Sequence, residues 1–505
     1  MRVGGSKCLS VPLYWCRDST KKKEKHLTRF KHFAVMAAGI AAGLTPLAAC
    51  GADVVARWSF TANGFAGSRG DAITLTWGIV PDGTPISASG SGESNNPSSL
   101  AAMMDGIFGD PPGGSDLTQR RWFYLFNDSM DRISQIAGLT YVYEPNDDGR
   151  DFSTFARGQL GVRPDVRIGG HNVNGVGGAK AYGYFPNIGD IVFDTADIGF
   201  FSNQTKGRGQ LRNMFMHEHS HGLGLHHSTS NSFDPLMEPV VPRTGTGPQF
   251  DDILGLQRLY GDVLEKNGGN DTAPTATPLG TLTLGSALTR GADAADVTVG
   301  LTDTDFVSID GSSDVDYFSF TLDRPAFVDF SIAPIGPTYH IDPASGPAYT
   351  LTASRQSDLH FILLDQAQSL IQVVDQGGLG SVETLTDLKL NAGTYYLAVG
   401  GLEDATQFYR MDLSASKLPA DINNDGVVDL ADFGVLAFNF GLGTTPAQGN
   451  LDGDSDIDPD DFALFAADYP TPANSDLAQG VPEPASIWGM VVLAGLIARR
   501  GRRRA

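Results

Sequence analysis

The sequence predicts a multidomain chain with an α+β domain, an all-β sandwich and a small helical repeat. At 505 residues it is too long for a single hydrophobic core. A histidine-rich run at 214–237 follows segments of mixed strand and helix periodicity, and short alternating segments recur over 279–415. One spacing of acidic residues then occurs twice over 419–470. Each of these three patterns indicates a separate structural unit.

The histidine-rich run contains the pattern HExxHxxGxxH, formed by His217, Glu218, His221, Gly224 and His227. Histidines four residues apart lie on one face of a helix, where both can bind one metal ion. Gly224 lets the chain leave the helix in a left-handed conformation, so that His227 can return as a third ligand. Three neutral imidazoles leave a fourth position of Zn²⁺ open, which is typical of a catalytic site. Glu218 is placed to take a proton from water there.

This pattern is the zinc signature of the metzincin metallopeptidases, and the residues after it resemble matrixins. Met237, in the run LMEP, resembles the methionine of the Met-turn beneath the zinc. The run FDDILGLQRLYG at 250–261 resembles the last matrixin helix. The resemblance implies an endopeptidase with a protein or peptide substrate, in which the three histidines hold Zn²⁺ and Glu218 is the general base. A histidine-rich, loosely metal-binding or solvated helix is the alternative interpretation.

The residues before the motif fit the element order of a metzincin N-terminal subdomain. Three segments have strand-like character: 72–80, 139–144 and 165–169. One segment, 117–138, has the apolar spacing of a helix. Residues 208–222 are then the predicted zinc helix. We therefore predict one matrixin-like catalytic domain over residues 51–262.

The stretch GGAKAYGYFPNIGDIVFDTAD resembles the matrixin segment that binds a structural zinc and calcium. Lys180 and Val192 stand where two zinc-binding histidines are expected, which leaves only His171. One histidine cannot hold a structural zinc, so we predict that this second zinc is absent. Asp194 and Asp197 match the calcium carboxylates of that family. A solvated acidic loop is an equally good interpretation of these two residues.

A change of composition separates the catalytic domain from the next one. Residues 263–278 are rich in Gly, Asn, Thr and Pro and are predicted to be a linker. Residues 279–415 are predicted to form an antiparallel β-sandwich. Its predicted strands are 281–284, 316–322, 327–332, 360–364, 394–399 and 409–413. The runs DVDYFSFTL and LNAGTYYLAVGG resemble the pre-peptidase C-terminal domain, which implies an accessory or binding role.

Two loops in residues 419–470 share an EF-hand-like spacing of oxygen ligands, and a helix is predicted after each, from Phe433 and Phe462. The ligand positions are Asp421, Asn423, Asp425, Asp429 and Asp432 in the first loop and Asn450, Asp452, Asp454, Asp458 and Asp461 in the second. The repeat resembles a type I dockerin. That resemblance implies structural Ca²⁺ and a cohesin-like partner, or a contact within the same chain. Ser455 stands where glycine is usual, so we expect a less well formed turn in the second loop. An acidic linker is the alternative.

Both ends carry patterns of export and sorting. Residues 1–50 combine a basic region with a short apolar run, which is typical of a signal peptide, and Leu-Ala-Ala-Cys also resembles a lipobox that would make Cys50 a lipidated residue. Residues 481–505 resemble a PEP-CTERM sorting signal, which implies contact with export and exosortase-type machinery at a bacterial surface. A stable tail anchor is the alternative.

The sequence as a whole therefore predicts an exported zinc endopeptidase at the bacterial cell surface or outside the cell. The net charge of −22 argues against nucleic acid as a partner. The alternative is a calcium-dependent surface adhesion or scaffold protein with a vestigial peptidase domain. Vestigial sites usually lose a ligand or the glutamate, and this sequence keeps all of them.

Overall fold

The computed structural model describes residues 54–469, apart from 90–92, 112–113, 205–207, 241–246 and 345. The predicted leader, with Cys50, and the predicted sorting signal at 481–505 lie outside the described residues. Within the described part of the chain, no helix is both long and apolar enough to cross a membrane.

Residues up to 261 form the α+β domain. Its strands are β1 (Phe60–Thr61), β2 (Gly64–Phe65), β3 (Ile73–Ile79), β4 (Pro85–Ile86), β5 (Asn96–Pro97), β6 (Leu139–Tyr143), β7 (Val166–His171), β8 (Ala181–Gly183), β9 (Ile191–Asp194) and β10 (Ser228–Thr229). Its helices are α1 (Leu100–Phe108), α2 (Phe123–Ser134), α3 (Ile198–Phe201), α4 (Gly209–Leu223) and α5 (Phe250–Tyr260).

The main sheet has the strand order β6-β3-β7-β9-β8. The first four strands are parallel, and the edge strand β8 runs antiparallel to β9. Phe126 of α2 links the sheet to α4, because its ring lies 6.0 Å from that of Phe193 in β9 and 5.0 Å from that of Phe215 in α4. The predicted helix at 117–138 is divided into a 3₁₀ turn, Leu117–Gln119, and α2.

The second domain contains twelve of the described strands. They are β11 (Thr277–Leu282), β12 (Ala287–Arg290), β13 (Ser308–Ile309), β14 (Val315–Leu322), β15 (Ala326–Pro334), β16 (Thr338–Pro343), β17 (Tyr349–Thr352), β18 (Leu359–Leu364), β19 (Leu370–Val374), β20 (Glu383–Leu390), β21 (Gly393–Gly401) and β22 (Gln407–Ser416).

Two sheets of the second domain enclose one apolar core. Their strand orders are β11-β14-β21-β18-β19 and β12-β22-β15-β20, with β13 paired to β22. Alternate residues of β14 and β15 are buried, and Phe320 of one sheet meets Phe330 of the other at a ring distance of 5.8 Å. The sheets are not wholly antiparallel as predicted, because β11 runs parallel to β14.

The segment predicted as a linker contains regular structure. Two 3₁₀ turns, Val263–Glu265 and Ala273–Thr275, lie within it, and β11 already begins at Thr277. Asn270 between them is buried. The segment is thus packed against the second domain, which its polar composition does not indicate.

The helical repeat follows directly. Its helices α6 (Leu430–Asn439) and α7 (Pro459–Asp468) begin three residues earlier than predicted. Asp429 and Asp458 are their N-caps, and each forms a capping box with the residue three positions later, Asp432 or Asp461. Leu436, Ile457 and Phe465 are in the small core between the two halves.

The first two domains share a third hydrophobic core. Phe250, Ile253 and Leu254 of α5 pack in it with residues of the second domain, among them Tyr339 and Phe408. A three-stranded sheet with the order β10-β16-β17 also contains strands of both domains. The α+β domain and the sandwich are therefore joined by both side-chain packing and backbone pairing.

Candidate metal centre

Helix α4 ends at Leu223, and the groups around its cap residue Gly224 fix the direction in which the chain leaves. Gly224 has φ +106°, and a Cβ there would lie 1.7 Å from the carbonyl oxygen of Ala56. The last carbonyl groups of the helix are satisfied from other elements. Trp58 Nε1 donates to the Gly222 oxygen at 2.7 Å, and the Tyr260 hydroxyl donates to the Leu223 oxygen at 2.7 Å. Only glycine fits this close, left-handed exit.

The exit brings the three predicted histidines together. His227 Nε2 lies 3.2 Å from His217 Nε2 and 3.1 Å from His221 Nε2. Two nitrogens bound tetrahedrally to one zinc at about 2.0–2.1 Å lie about 3.3 Å apart. The donor set and its spacing therefore fit a single zinc ion.

Backbone carbonyls determine which ring nitrogen of two of these histidines can face a metal. His217 Nδ1 lies 2.7 Å from the Leu236 oxygen, and His221 Nδ1 lies 2.8 Å from the Leu225 oxygen. A carbonyl oxygen can only accept, so Nδ1 carries the proton in both rings and Nε2 presents its lone pair. Burial lowers the pKa of His217 to about 3 and that of His221 to about 4, which keeps both rings neutral as metal ligands require.

Glu218 lies on α4 between the two helical ligands and is buried. Burial raises the pKa of its carboxyl group to about 8, and the Gly183 amide of the edge strand β8 donates to it. A nearby cation would favour the carboxylate form. The arrangement thus places an acid–base group beside the metal-binding nitrogens.

Met237 is buried in the turn beneath the histidines. The Ser228 amide donates to the Met237 oxygen at 3.0 Å. The carboxylate of Asp252 in α5 accepts from the amides of Leu236 and Met237 at 2.7 and 3.2 Å. Asp252 therefore ties the predicted Met-turn to the last helix, a role that the sequence resemblance did not specify.

The two flanking histidines of the cluster have packing roles. His219 is fully buried, lies 2.7 Å from the Tyr141 hydroxyl through Nε2, and stacks on Phe215. His226 stacks on Phe185 and accepts the His227 amide through Nδ1 at 2.9 Å.

Protein groups contact the polar side chains in the segment that resembles a second metal site. The Lys180 ammonium lies 2.8 Å from Asp197 Oδ1, and His171 Nε2 lies 2.6 Å from Glu93 Oε1. Asp194 accepts the amides of Asn174 and Ala196 at 3.0 and 2.9 Å. Lys180 thus supplies at Asp197 the positive charge that a cation would bring.

The first loop of the helical repeat brings three predicted ligands together. Metal-binding atoms of Asp421, Asp425 and Asp432 lie within 4.8 Å of one another. Asp421 is buried, and its Oδ1 has no hydrogen-bond partner among the described residues. Gly426 at position 6 has φ +88°.

The second loop is built differently. Its acidic group comprises Asp452, Asp458 and Asp460, of which Asp460 was not predicted as a ligand. Asp461 accepts the Leu451 and Asp452 amides at 2.5 and 3.2 Å, just as Asp432 accepts those of Ile422 and Asn423 in the first loop. The left-handed residue is Gly453 at position 4, and Ser455 at position 6 is not left-handed.

An acidic cluster at the start of the second domain was missed at the level of sequence. Metal-binding atoms of Glu265, Asp314 and Asp316 lie within 4.8 Å of one another. Burial raises the pKa of Glu265 to about 10 and that of Asp314 to about 9, and it also raises the pKa of Asp316 well above its ordinary value. The available signal was Asp316, which occupies an inward position of the alternating strand β14.

The fold and site together define a class of protein domain. The features typical of a metzincin-type zinc domain are helix α4 with two histidines, the glycine exit to a third and the turn that contains Met237. Within that class, residues 155–261 match the family Matrixin (Peptidase_M10), so the chain contains a matrixin domain.

Similar proteins agree with this family over a limited length. The hatching enzyme of Paracentrotus lividus is 36% identical over 110 residues, which cover 21% of this chain and 17% of that protein. Matrix metalloproteinase-19 of Homo sapiens is 30% identical over 145 residues, which cover 25% of this chain and 27% of that protein. The chain thus spans about a sixth to a quarter of the length of these curated relatives.

A neighbour among solved structures is the pre-peptidase C-terminal domain of a collagenase from Bacillus anthracis. It is 12% identical, covers 28% of this chain and 96% of that domain, and has a TM-score of 0.16.

Proposed function

We propose that this chain is a zinc-dependent endopeptidase. The observation that carries the proposal is the convergence of the His217, His221 and His227 Nε2 atoms beside the buried carboxyl group of Glu218. The match of residues 155–261 to Matrixin supports the same activity. When bound, zinc would supply a Lewis acid that polarises a peptide carbonyl and makes water more acidic.

The chain's own residues account for the proton movements. Glu218 takes a proton from the attacking water and later gives it to the leaving amine. The neutral state of His217 and His221 leaves their Nε2 lone pairs free to bind metal, while the Leu236 and Leu225 carbonyls hold the rings in orientation. Gly224 and Met237 have structural roles at the site.

Replacement of the proposed base tests this mechanism. Glu218→Gln should lower casein hydrolysis by about 10²–10⁴-fold, because general acid–base catalysis contributes that much, while one zinc per chain is retained. The full chain should be measured by metal analysis and by hydrolysis with a zinc chelator and after zinc is restored. Glu144→Gln, in which a partly exposed glutamate just beyond β6 is changed, is the control.

The outcomes separate the two candidate functions. Loss of cleavage in Glu218→Gln with zinc retained would support the peptidase. A fully active Glu218→Gln would remove Glu218 as the base. If the unchanged chain binds one zinc ion but cleaves no substrate, the alternative is favoured: a calcium-dependent adhesion or scaffold protein with a vestigial peptidase domain.

For the rest of the chain, we propose an exported protein with an accessory β-sandwich at 279–415 and a dockerin-like calcium module at 419–470. Asp421 Oδ1 is buried without a hydrogen-bond partner in the described part of the chain, which supports structural Ca²⁺ in the first loop. A cohesin-like protein is the proposed partner of the module, and exosortase-type machinery the proposed partner of the C-terminal sorting signal. Asp194 and Asp197 stay a separate prediction of a calcium site: Lys180 pairs with Asp197 Oδ1, whereas the buried Asp197 Oδ2 has no hydrogen-bond partner among the described residues.

Matched substitutions in the two loops test the calcium module. Asp425→Ala and Asp454→Ala change the same position of the first and second loops. We expect the first loop to bind calcium more tightly than the second, because only the first loop has the left-handed glycine at position 6. In calcium titrations of the full chain, Asp425→Ala should therefore weaken the tighter binding event at least about tenfold. Equal and unchanged titrations in both variants would contradict calcium binding by these loops.

A further inference from the structure

His227 depends on its surroundings more than the other two proposed ligands do. His217 and His221 are buried on a fifteen-residue helix, whereas His227 is only partly buried and follows the glycine exit. Its backbone therefore lacks the support of helical hydrogen bonds. The position of its ring is determined by whatever holds residues 227–230.

One side of this segment is held by the Met-turn, and the other side is held by the second domain. The Ser228 amide donates to the Met237 oxygen, while Ser228 and Thr229 pair with Pro343 and Asp342 of β16. The Ala344 amide donates to the carbonyl oxygen of His227 itself at 3.0 Å. The hairpin of β16 and β17 thus bonds directly to the backbone of a proposed metal ligand.

A side-chain connection runs in parallel with this backbone pairing. The Tyr339 hydroxyl, on β16, donates to Asp251 Oδ1 at 2.8 Å, and Ser228 Oγ donates to Asp251 Oδ2 at 3.4 Å. Tyr339 is buried, and its ring packs between Phe233 and Phe250 at centroid distances of 5.4 and 5.7 Å. The residue next to His227 is therefore connected to the hairpin through one carboxylate.

We propose that the β16–β17 hairpin of the second domain is a functional part of the metal centre, and that Tyr339 is a positioning residue for His227. The inference rests on the proposed function, since it concerns the same site. It assigns the sandwich a role within the peptidase: the zinc site is complete only when the second domain is docked.

Two tyrosine-to-phenylalanine variants of the full chain separate positioning from general stability. Tyr339→Phe removes the hydroxyl that bonds Asp251 and keeps the ring. Tyr409→Phe is the matched control, because Tyr409 is equally buried in the sandwich and donates to a buried aspartate, Asp316, at 2.6 Å. Two quantities are measured: zinc affinity by chelator competition, and hydrogen–deuterium exchange of residues 226–230 in protein freed of metal.

We expect Tyr339→Phe to weaken zinc binding about tenfold or more, as loss of a supporting hydrogen bond around a metal ligand does, and to speed exchange in 226–230. Tyr409→Phe should change neither quantity. If Tyr339→Phe does not fold, Ser230→Ala replaces it, because the Ser230 hydroxyl donates to the His340 oxygen on the same hairpin.

Wild-type behaviour of Tyr339→Phe in both measurements, or equal changes in the control, would overturn the inference. A chain whose zinc affinity depends on Tyr339 but which cleaves no substrate would support the inference and reject the proposed peptidase. If the unchanged chain binds no zinc, the exchange rates alone decide, since they are measured without metal.

Discussion

At the scale of single residues, Gly224 has the strictest requirement at the site. It combines φ +106° with a space that the Ala56 carbonyl closes to any Cβ. Gly83 offers a matched comparison, because it has φ +96° and no atom within 4 Å of the place that a Cβ would occupy. An alanine at Gly83 therefore tests the cost of backbone strain alone. An alanine at Gly224 tests that strain together with the steric clash.

We expect Gly83→Ala to lower the free energy of unfolding by about 1–2 kcal/mol, the cost of left-handed backbone for an L-residue. Gly224→Ala should lose more than about 3 kcal/mol, because either the clash or a shifted exit must be accommodated, and it should also lose zinc. Urea unfolding and metal analysis provide the measurements. Equal stabilities of the two variants would show that the Ala56 contact is not restrictive.

The residues of the metal centre could be predicted to different degrees. His217 and His221 lie four residues apart on one helix, so helix geometry is enough to bring them together, and Gly224 marks the exit towards His227. Asp252 could not be assigned to the Met-turn in the same way, because its amide partners become neighbours only after α5 folds back. Lys180 could be recognised as a departure from the family pattern, but its pairing with Asp197 required the structure.

At the scale of elements, the strands that were predicted are those that alternate. Strands β14 and β15 bury every second residue, which the sequence shows directly. Strands β16 and β17 were not predicted. Pro343 is the last residue of β16, and Gly346 and Pro347 follow before β17, so the region has the composition of a turn. The hairpin beside the metal centre was therefore found only in the structure.

Two helix starts in the repeat show a different reason for error. Asp429 and Asp432 were interpreted only as ligand positions, yet they also form the capping box of α6. Asp458 and Asp461 repeat this arrangement at α7. An aspartate at such a position can cap a helix and also suits calcium, because carboxylate oxygens accept from the free amides of a helix start and are the ligands that calcium prefers. The helices consequently begin before the phenylalanines chosen as their starts.

At the scale of the whole molecule, the domains are less independent than composition suggests. The segment 263–278 has the residues of a linker, but it carries Glu265 and the buried Asn270 into the second domain. Glu265 there joins Asp314, which immediately precedes β14, and Asp316 within β14. Composition predicts the local structure of a segment. It cannot show that acidic side chains from two distant segments will be buried in contact with each other.

This shared acidic cluster makes stability depend on pH in a defined direction. Burial raises the folded pKa of Glu265 to about 10 and that of Asp314 to about 9, and it raises the pKa of Asp262, which interacts electrostatically with both, to about 7. Groups with raised pKa values stabilise the fold fully below their unfolded pKa of about 4, and that stability is lost as pH rises through the folded values. The cluster should therefore weaken the fold progressively as pH rises from about 4 to about 10.

Asp314→Asn tests this dependence, because it removes one titrating group and keeps a side chain that can still accept the Asp310 amide. Without divalent cations, which would offset the repulsion, the loss of unfolding free energy from pH 7 to pH 9 should become shallower by up to about 1.4 kcal/mol per pH unit. Asp323→Asn, at an exposed carboxylate paired with Arg324, should leave the slope unchanged. Parallel curves for all three proteins would mean that the cluster stays ionised when folded, and the burial argument would then fail at the junction of the two domains.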